Sequence, residues 1–169
     1  MVDTNESNES QANILCKSCG LCCTGHLFIW AKLRSAELDS AEALGLTVFR
    51  EPGQRGFGQP CPLWDGVCTI YTSPHYPRFC RTYKCKLLKQ ALDENISLRN
   101  ALIVVEQTKG LIHELEMLLP ASELTNFRER LVAHIEDSES SDEFQSKAGT
   151  LLSIYEKQFG VTDLVDNSA

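Results

Sequence analysis

The eight cysteines are the residues whose type and spacing point most directly to chemistry. Four of them form a C-x2-C-x2-C-C run at residues 16–23, and the other four follow between residues 61 and 85. A C-x2-C step lets two sulfurs approach one metal ion. Side chains of adjacent residues diverge, so the neighbouring pair in the run is expected to serve two metals, or one metal and a bridging or supporting role. The candidate ligands are Cys16, Cys19, Cys22, Cys23, Cys61, Cys68, Cys80 and Cys85.

The cysteine pattern fits zinc and iron about equally well. Eight thiolates satisfy two zinc sites of four cysteines each, and such closed sites are structural. The C-x2-C-x2-C opening also matches the first three ligands of a bacterial ferredoxin run. That run continues x3-C-P, whereas Cys23 follows Cys22 at once, so a fourth cluster ligand would come from the later cysteines. The expected cofactor is therefore zinc or iron, with an iron-sulfur cluster as one form.

The four histidines are weaker ligand candidates than the cysteines. His26 and His75 lie near cysteines in the chain. His113 and His134 fall in helical segments without a cysteine or a second histidine at ligand spacing, and we interpret them as surface or packing residues.

The use of cysteine and the lack of long apolar segments predict a cytoplasmic protein. In a reducing compartment, thiols at metal-like spacing favour metal ligation over disulfides. A disulfide between Cys22 and Cys23 is geometrically poor, since adjacent Cα atoms lie about 3.8 Å apart. No stretch approaches the length of a membrane helix, so no membrane association is expected.

The charge distribution argues against nucleic acid as a partner. The formal net charge is −7, and binding to phosphates requires lysine and arginine. Residues 61–89 are locally basic, and Arg81, between two cysteines, is a candidate to offset thiolate charge. Residues 106–169 contain thirteen acidic and five basic residues. We interpret this acidic region as a helical cover for the cysteine half, with binding of a protein partner as the alternative.

The composition predicts an α+β fold with a cysteine-rich first half and a helical second half. We expect a disordered N-terminus at residues 1–13, a metal-binding domain at residues 14–95, a helical region packed on it at residues 96–160, and a tail at residues 161–169. Ligation is expected to supply much of the folding free energy of the cysteine half.

Short strands and turns are predicted in the cysteine half. Residues 26–30 are an apolar, aromatic stretch typical of a buried strand, and residues 36–44 are predicted to form a helix. Residues 51–60 are rich in glycine and proline, which predicts a loop. Residues 61–71 are predicted to form a hairpin that turns at Asp65-Gly66.

Amphipathic helices are predicted over the rest of the chain, at residues 86–95, 98–119, 122–135 and 144–159. Ser97 is the expected cap of the longest helix, and Pro120 is expected to stop it. Gly110 predicts a break or bend within that helix.

The cysteine spacing, together with three short motifs, resembles a known family. The motifs are Cys61-Pro-Leu, Cys68-Thr-Ile-Tyr71 and Cys80-Arg-x-Tyr83-x-Cys85. The pattern is similar to that of the CxxCxxCC cysteine-cluster family, also called YkgJ-like, and covers residues 16–85. The resemblance implies a small, mostly bacterial domain that chelates zinc or iron, with the cysteines as ligands.

Two positions depart from the pattern of that family. Tyr76 stands before Pro77 where the family carries arginine, and Lys84 stands where proline is common. A role that this arginine has in relatives is therefore not expected here. The order of the cysteines is kept, so metal binding is still expected.

Three classes of function follow from the sequence. The first is a metal-binding protein that uses its cysteines for structure or metal handling. The alternatives are an iron-sulfur enzyme or electron-transfer protein, and a zinc-stabilised protein–protein interaction module. The chain contains no nucleotide-binding, zinc-protease or hydrolase signature, and no catalytic residue is assigned.

Overall fold

The computed structural model describes residues 10–162, and within that range it contains seven α-helices and one antiparallel sheet. The helices are α1 (Gln11–Cys19), α2 (Leu38–Ala43), α3 (Arg78–Thr82), α4 (Lys86–Leu92), α5 (Leu98–Leu118), α6 (Phe127–Ile135) and α7 (Asp142–Ile154). The strands are β1 (Trp30–Lys32), β2 (Val48–Glu51) and β3 (Gln54–Gly58). The predicted α+β class, with a helical second half, is confirmed.

Helix α1 was not predicted, and it carries the first two cysteines. The Ser10 side chain caps it by accepting a hydrogen bond from the Asn13 amide at 3.3 Å, and Gly20 ends it with φ 65°. Leu15 is buried and anchors the helix. Residues 11–13 are therefore helical rather than disordered, and residues 1–9 of the predicted disordered segment lie outside the described residues.

The prediction of a loop at residues 51–60 is wrong, because β3 lies there as the central strand in the order β1-β3-β2. A tight turn at Gly53, with φ 82°, reverses the chain between β2 and β3. Gly56 allows β3 to approach β1, since a Cβ there would lie 2.0 Å from the Ala31 carbonyl oxygen. The glycines that suggested a loop therefore allow close strand packing. The strand predicted at residues 26–30 begins later, at Trp30.

The hairpin predicted at residues 61–71 is reduced to one isolated bridge between Trp64 and Cys68. The turn lies at Asp65-Gly66 as predicted, and Gly66 has φ 71°. The remaining backbone is a succession of turns, in which Thr69 donates to the Leu63 carbonyl oxygen at 3.0 Å. This segment lacks flanking strands to pair with, so its arrangement depends on local turns.

The helices of the second half largely follow the predicted pattern. Helix α5 begins at the predicted cap, where Ser97 accepts from the Asn100 amide at 3.1 Å. It continues through Gly110 without a break, so the predicted bend is wrong. Helix α6 begins at Phe127 with Asn126 as its cap, and not at Ser122.

The end of the described chain is also helical. Ser141 caps α7, which continues into one π-helical turn, Tyr155–Phe159, and ends at Gly160 with φ 73°. Helix α4 ends at Leu92, earlier than predicted, and the predicted helix at residues 36–44 forms as the 3-10 turn Ser35–Glu37 followed by α2. Of the predicted tail, residues beyond 162 lie outside the described residues.

Two hydrophobic cores hold these elements together. The main core combines Leu15, Leu27 and Leu87 from the cysteine half with the apolar faces of α5, α6 and α7. A smaller core lies under the sheet and includes Ala31 and Phe57. The cysteine half and the helical region therefore share one core. Within the described residues, no helix combines the length and hydrophobicity that crossing a membrane requires.

Candidate metal centre

The first group of cysteines meets at the junction of α1 and α4. Cys16 and Cys19 lie one turn apart at the end of α1, and the chain then turns at Gly20, where its carbonyl accepts from the Thr24 amide at 2.9 Å. Cys85 is the cap of α4 and accepts from the Leu88 amide at 3.4 Å. Helix α1 packs against α4, so these cysteines come together although about seventy residues separate them in sequence.

The second group is brought together by the turns after the sheet and by α3. The Cys61 amide donates to the Cys23 carbonyl oxygen at 2.7 Å, which joins the first run of cysteines to the later ones. Cys68 lies in the bridge with Trp64, and Cys80 lies on α3. Cys61 and Cys80 pack against the smaller core, whereas Cys19, Cys22 and Cys85 pack against the main core.

The eight cysteines contain two non-overlapping sets of four in which every pair of thiolate charges repels, and Cys16, Cys23, Cys68 and Cys80 form a further such set that overlaps both. The first quartet is Cys16, Cys19, Cys22 and Cys85, and its thiolate charges repel one another in all six pairs. The second quartet is Cys23, Cys61, Cys68 and Cys80, and its charges likewise repel one another in all six pairs. Thiolate repulsion of this kind requires proximity. The four thiols of each quartet therefore lie near one another.

The two quartets adjoin each other. Cys22 and Cys23 are neighbours in the chain, and although we assign them to different quartets their thiolate charges also repel each other. Cys16 of the first quartet also interacts with three members of the second, Cys23, Cys68 and Cys80. Cys16 therefore lies between the two clusters.

Burial is the main cause that raises the pKa of these thiols. It raises the pKa of Cys19 and of Cys80 to about 12, with repulsion from neighbouring thiolates adding to it. The pKa of Cys22 lies well above its ordinary value for the same reasons. Without a cation between them, these thiols hold their protons at neutral pH.

Backbone amides point at several of these sulfurs and favour their thiolate forms. The Leu21 amide lowers the pKa of Cys19, the Leu63 amide lowers that of Cys61, and the Leu88 amide lowers that of Cys85, in each case against the larger effect of burial. Amide donors to sulfur are the supporting contacts that thiolate ligands of metals use. An inert buried thiol needs no such donors, so the chemistry of this donor set fits a thiophilic cation.

Two lysines add positive charge beside the first quartet. Lys109 on α5 donates to the Ser18 carbonyl oxygen at 2.6 Å and lowers the pKa of Cys19, against burial as the main effect. Lys89 has the same effect on the pKa of Cys85, again smaller than that of burial. Nothing in the sequence near Lys109 signals this contact, because α5 brings it to α1 from 93 positions after Cys16.

The side chains are not arranged for ligation as they stand. Across residues 10–162, no group of three or more His, Cys, Asp or Glu side chains is placed to hold a metal ion. A cavity of about 50 Å³ lies against the cysteines, and Cys16, Cys19, Cys22, Cys23 and Cys85 line it. These five cysteines are free of disulfides, so their side chains can rotate toward this space.

The histidines named by the sequence analysis have other contacts. His26 Nδ1 lies 2.6 Å from the Thr24 hydroxyl, and its ring packs on Phe127 with centroids 5.1 Å apart. Burial lowers the pKa of His26. His75 is exposed beside Arg34 and Arg78. His134 packs against the Phe144 ring at 4.4 Å, as expected for a packing residue.

No protein-family model, curated protein or solved structure matches the chain. The resemblance to the CxxCxxCC cysteine-cluster family therefore stays a prediction.

Proposed function

We propose that this protein binds zinc or iron through two adjoining centres, each formed by one cysteine quartet. The observation that carries the proposal is the convergence of all eight thiols, brought together by the packing of α1 on α4 and by the hydrogen bond from the Cys61 amide to the Cys23 carbonyl oxygen, with thiolate repulsion among the members of each quartet. Four thiolates are the full ligand set of a tetrahedral zinc site or of an iron-sulfur cluster. The bound metal would supply either a structural crosslink or redox chemistry.

The residues of the chain would each have a defined part in such a centre. The eight thiols would lose their protons and ligate, the amides of Leu21, Leu63 and Leu88 would donate to sulfur, and Lys109 would offset negative charge. Ligation would require the thiol side chains to rotate, since no three are placed for it at present within residues 10–162.

An iron-sulfur cluster in the first quartet is the second candidate, and one observation favours it. The cavity of about 50 Å³ is lined by all four cysteines of the first quartet and by Cys23 of the second, and it provides room for inorganic sulfide, which a single zinc ion does not need. A role in electron transfer or in redox catalysis would follow from that assignment.

The proposal includes a reducing, cytoplasmic location. All eight cysteines are free, and none is joined in a disulfide. Thiols at this density would oxidise readily without either a reductant or a bound metal.

Elemental analysis of untagged, anaerobically purified protein tests the proposal. We expect zinc or iron to copurify in tight complex with the full chain. Broad visible absorption with acid-labile sulfide would identify iron-sulfur clusters, and a colourless zinc protein would identify structural sites. Less than about half an equivalent of zinc plus iron per chain would contradict the proposal.

A further inference from the structure

A groove of about 250 Å³ opens beside the cysteine quartets on the side of α3. Tyr71, Tyr76 and Tyr83 line it, together with Cys16 and Cys80. We call it the tyrosine groove. It connects the outer surface with one thiol from each quartet.

Hydrogen bonds fix two of these rings in place. The Tyr71 hydroxyl donates to Asn13 Oδ1 at 2.7 Å, and the Tyr76 hydroxyl donates to the Cys80 carbonyl oxygen at 3.3 Å. The two ring centroids are 5.6 Å apart and tilted by 58°. Lys17 Nζ lies 4.7 Å from the centre of the Tyr71 ring. The aromatic surface that the two rings leave toward the groove favours a planar, partly apolar ligand.

The charged side chains of the groove are all positive. Arg81 and Lys84 line it, and no Asp or Glu among the described residues does. The chain as a whole has 23 acidic and 16 basic residues, so the positive charge of this groove contrasts with the negative net charge of the protein. The Arg81 guanidinium lies 5.5 Å from the centre of the Tyr76 ring and forms no ion pair with a carboxylate of residues 10–162. A guanidinium held in this way is suited to bind a carboxylate with two hydrogen bonds.

Arg81 was also a candidate to offset thiolate charge, but other cations are better placed for that task. Burial raises the pKa of Cys19 and of Cys85, and Lys109 and Lys89 respectively oppose that effect through their positive charge. Arg81 instead faces Tyr76 and the open groove. Its position therefore favours a ligand in the groove over a role in the metal centres.

We propose that the tyrosine groove binds a small aromatic carboxylate. Its carboxylate would contact Arg81 and Lys84, and its ring would pack against Tyr71 and Tyr76, beside Cys16 and Cys80. The groove itself does not depend on metal, but its use as a substrate site next to a metal centre rests on the proposed function.

Calorimetric titration of the full-length protein, as purified, with benzoate tests this proposal. We expect saturable binding of benzoate, and at least tenfold weaker binding of neutral benzamide and of inorganic phosphate. Arg81→Gln is expected to weaken benzoate binding about tenfold, and Arg81→Lys less, because lysine keeps the charge without the planar fork. The matched control is Arg99→Gln on the exposed surface of α5, which should leave binding unchanged.

Three results would overturn the proposal. They are binding of benzamide or phosphate as tight as that of benzoate, no effect of Arg81→Gln, and an equal effect of Arg99→Gln. Metal content is measured on the same samples, and loss of metal in Arg81→Gln would place Arg81 in the metal centre instead. Benzoate binding to a wild-type protein without metal would support the groove while contradicting the proposed function, so the two failures are distinguishable.

Discussion

At the scale of single residues, the buried thiols of the quartets hold their protons more firmly than free cysteine does, because burial raises the pKa of Cys19, Cys22 and Cys80. Burial raises the pKa of Cys16, Cys23 and Cys61, and mutual repulsion adds to that effect. A metal must therefore displace protons from thiols that hold them firmly. The stability of the metal-free protein should therefore fall as the pH rises, whereas the affinity of the protein for metal should increase.

The metal-free, reduced protein should lose stability at high pH. Thiols of the unfolded chain ionise near pH 8.5, whereas burial raises the pKa of Cys19 and Cys80 in the folded chain to about 12. The contribution of these thiols is thus fully present below about pH 8.5 and is lost as the pH rises toward 12. Urea unfolding of the metal-free protein at pH 7 and pH 10 measures this loss.

Metal binding should become stronger as the pH rises from 6 to 8. Ligation releases the thiol protons, so the apparent affinity for zinc should increase with pH. Competition with a chelator of known affinity at several pH values measures it. An affinity that does not change with pH would show that the thiols are not the ligands.

At the scale of elements, two glycines that look alike in sequence have opposite roles. Gly56 lies on the central strand, where a Cβ would stand 2.0 Å from the Ala31 carbonyl oxygen. Gly110 lies on the exposed side of α5, where a Cβ would meet nothing within 4 Å. Their substitutions should therefore change stability in opposite directions.

Gly56→Ala is expected to lower the free energy of unfolding by about 1–3 kcal/mol, because the added methyl group must push β1 and β3 apart. Thermal or denaturant unfolding followed by circular dichroism measures it. A variant as stable as the wild type would mean that β3 does not approach β1 as described.

Gly110→Ala is expected to raise the free energy of unfolding by about 0.5–1 kcal/mol, because alanine is the better helix former and has room there. The same unfolding measurement applies. Destabilisation would indicate that α5 bends at Gly110, as the sequence alone suggested.

These elements also show what the sequence could predict. Helix α5 was predictable, because a cap at Ser97, a repeating apolar face and Pro120 all agree. Helix α1 was missed because its segment is polar, and its stability comes from Leu15 packing into the main core. Strand β3 was missed because its glycines and the neighbouring Pro52 have the composition of a loop, while tertiary contacts decide its conformation.

At the scale of the whole molecule, the shared core changes how far metal should control folding. Helices α1 and α4 pack into the same core as α5 and α7, so they have support besides ligation. Residues 61–77 have turns and one isolated bridge instead. The dependence on metal is thus expected to concentrate in this segment and not to cover the whole cysteine half.

Hydrogen exchange after chelation under reducing conditions tests this division. We expect residues 61–77 to lose amide protection first, while α4 and α5 keep theirs, because their apolar residues stay packed without ligands. Loss of protection in α5 at the same rate would show that metal supports the entire fold. Equal protection of residues 61–77 with and without metal would show that ligation is incidental to folding.

The cysteines could be predicted as a set, but their division into quartets could not. The C-x2-C spacing identifies the first run, and the divergence of Cys22 and Cys23 indicates more than one centre. Which later cysteine joins which centre depends on the packing of α1 against α4 and on the contact between Cys61 and Cys23. Protein binding by the acidic second half stays the alternative to its interpretation as a helical cover, and binding to a basic partner is the test.

The central claim is that each quartet forms a separate metal centre, and native mass spectrometry of single variants tests it most directly. The variants are Cys19→Ser in the first quartet, Cys61→Ser in the second, and His75→Ala as a control outside both. We expect the wild type and His75→Ala to carry the metal of both centres, and each serine variant to lose the metal of its own quartet while keeping that of the other. The claim would be contradicted if both serine variants kept all their metal, or if His75→Ala lost as much metal as they do.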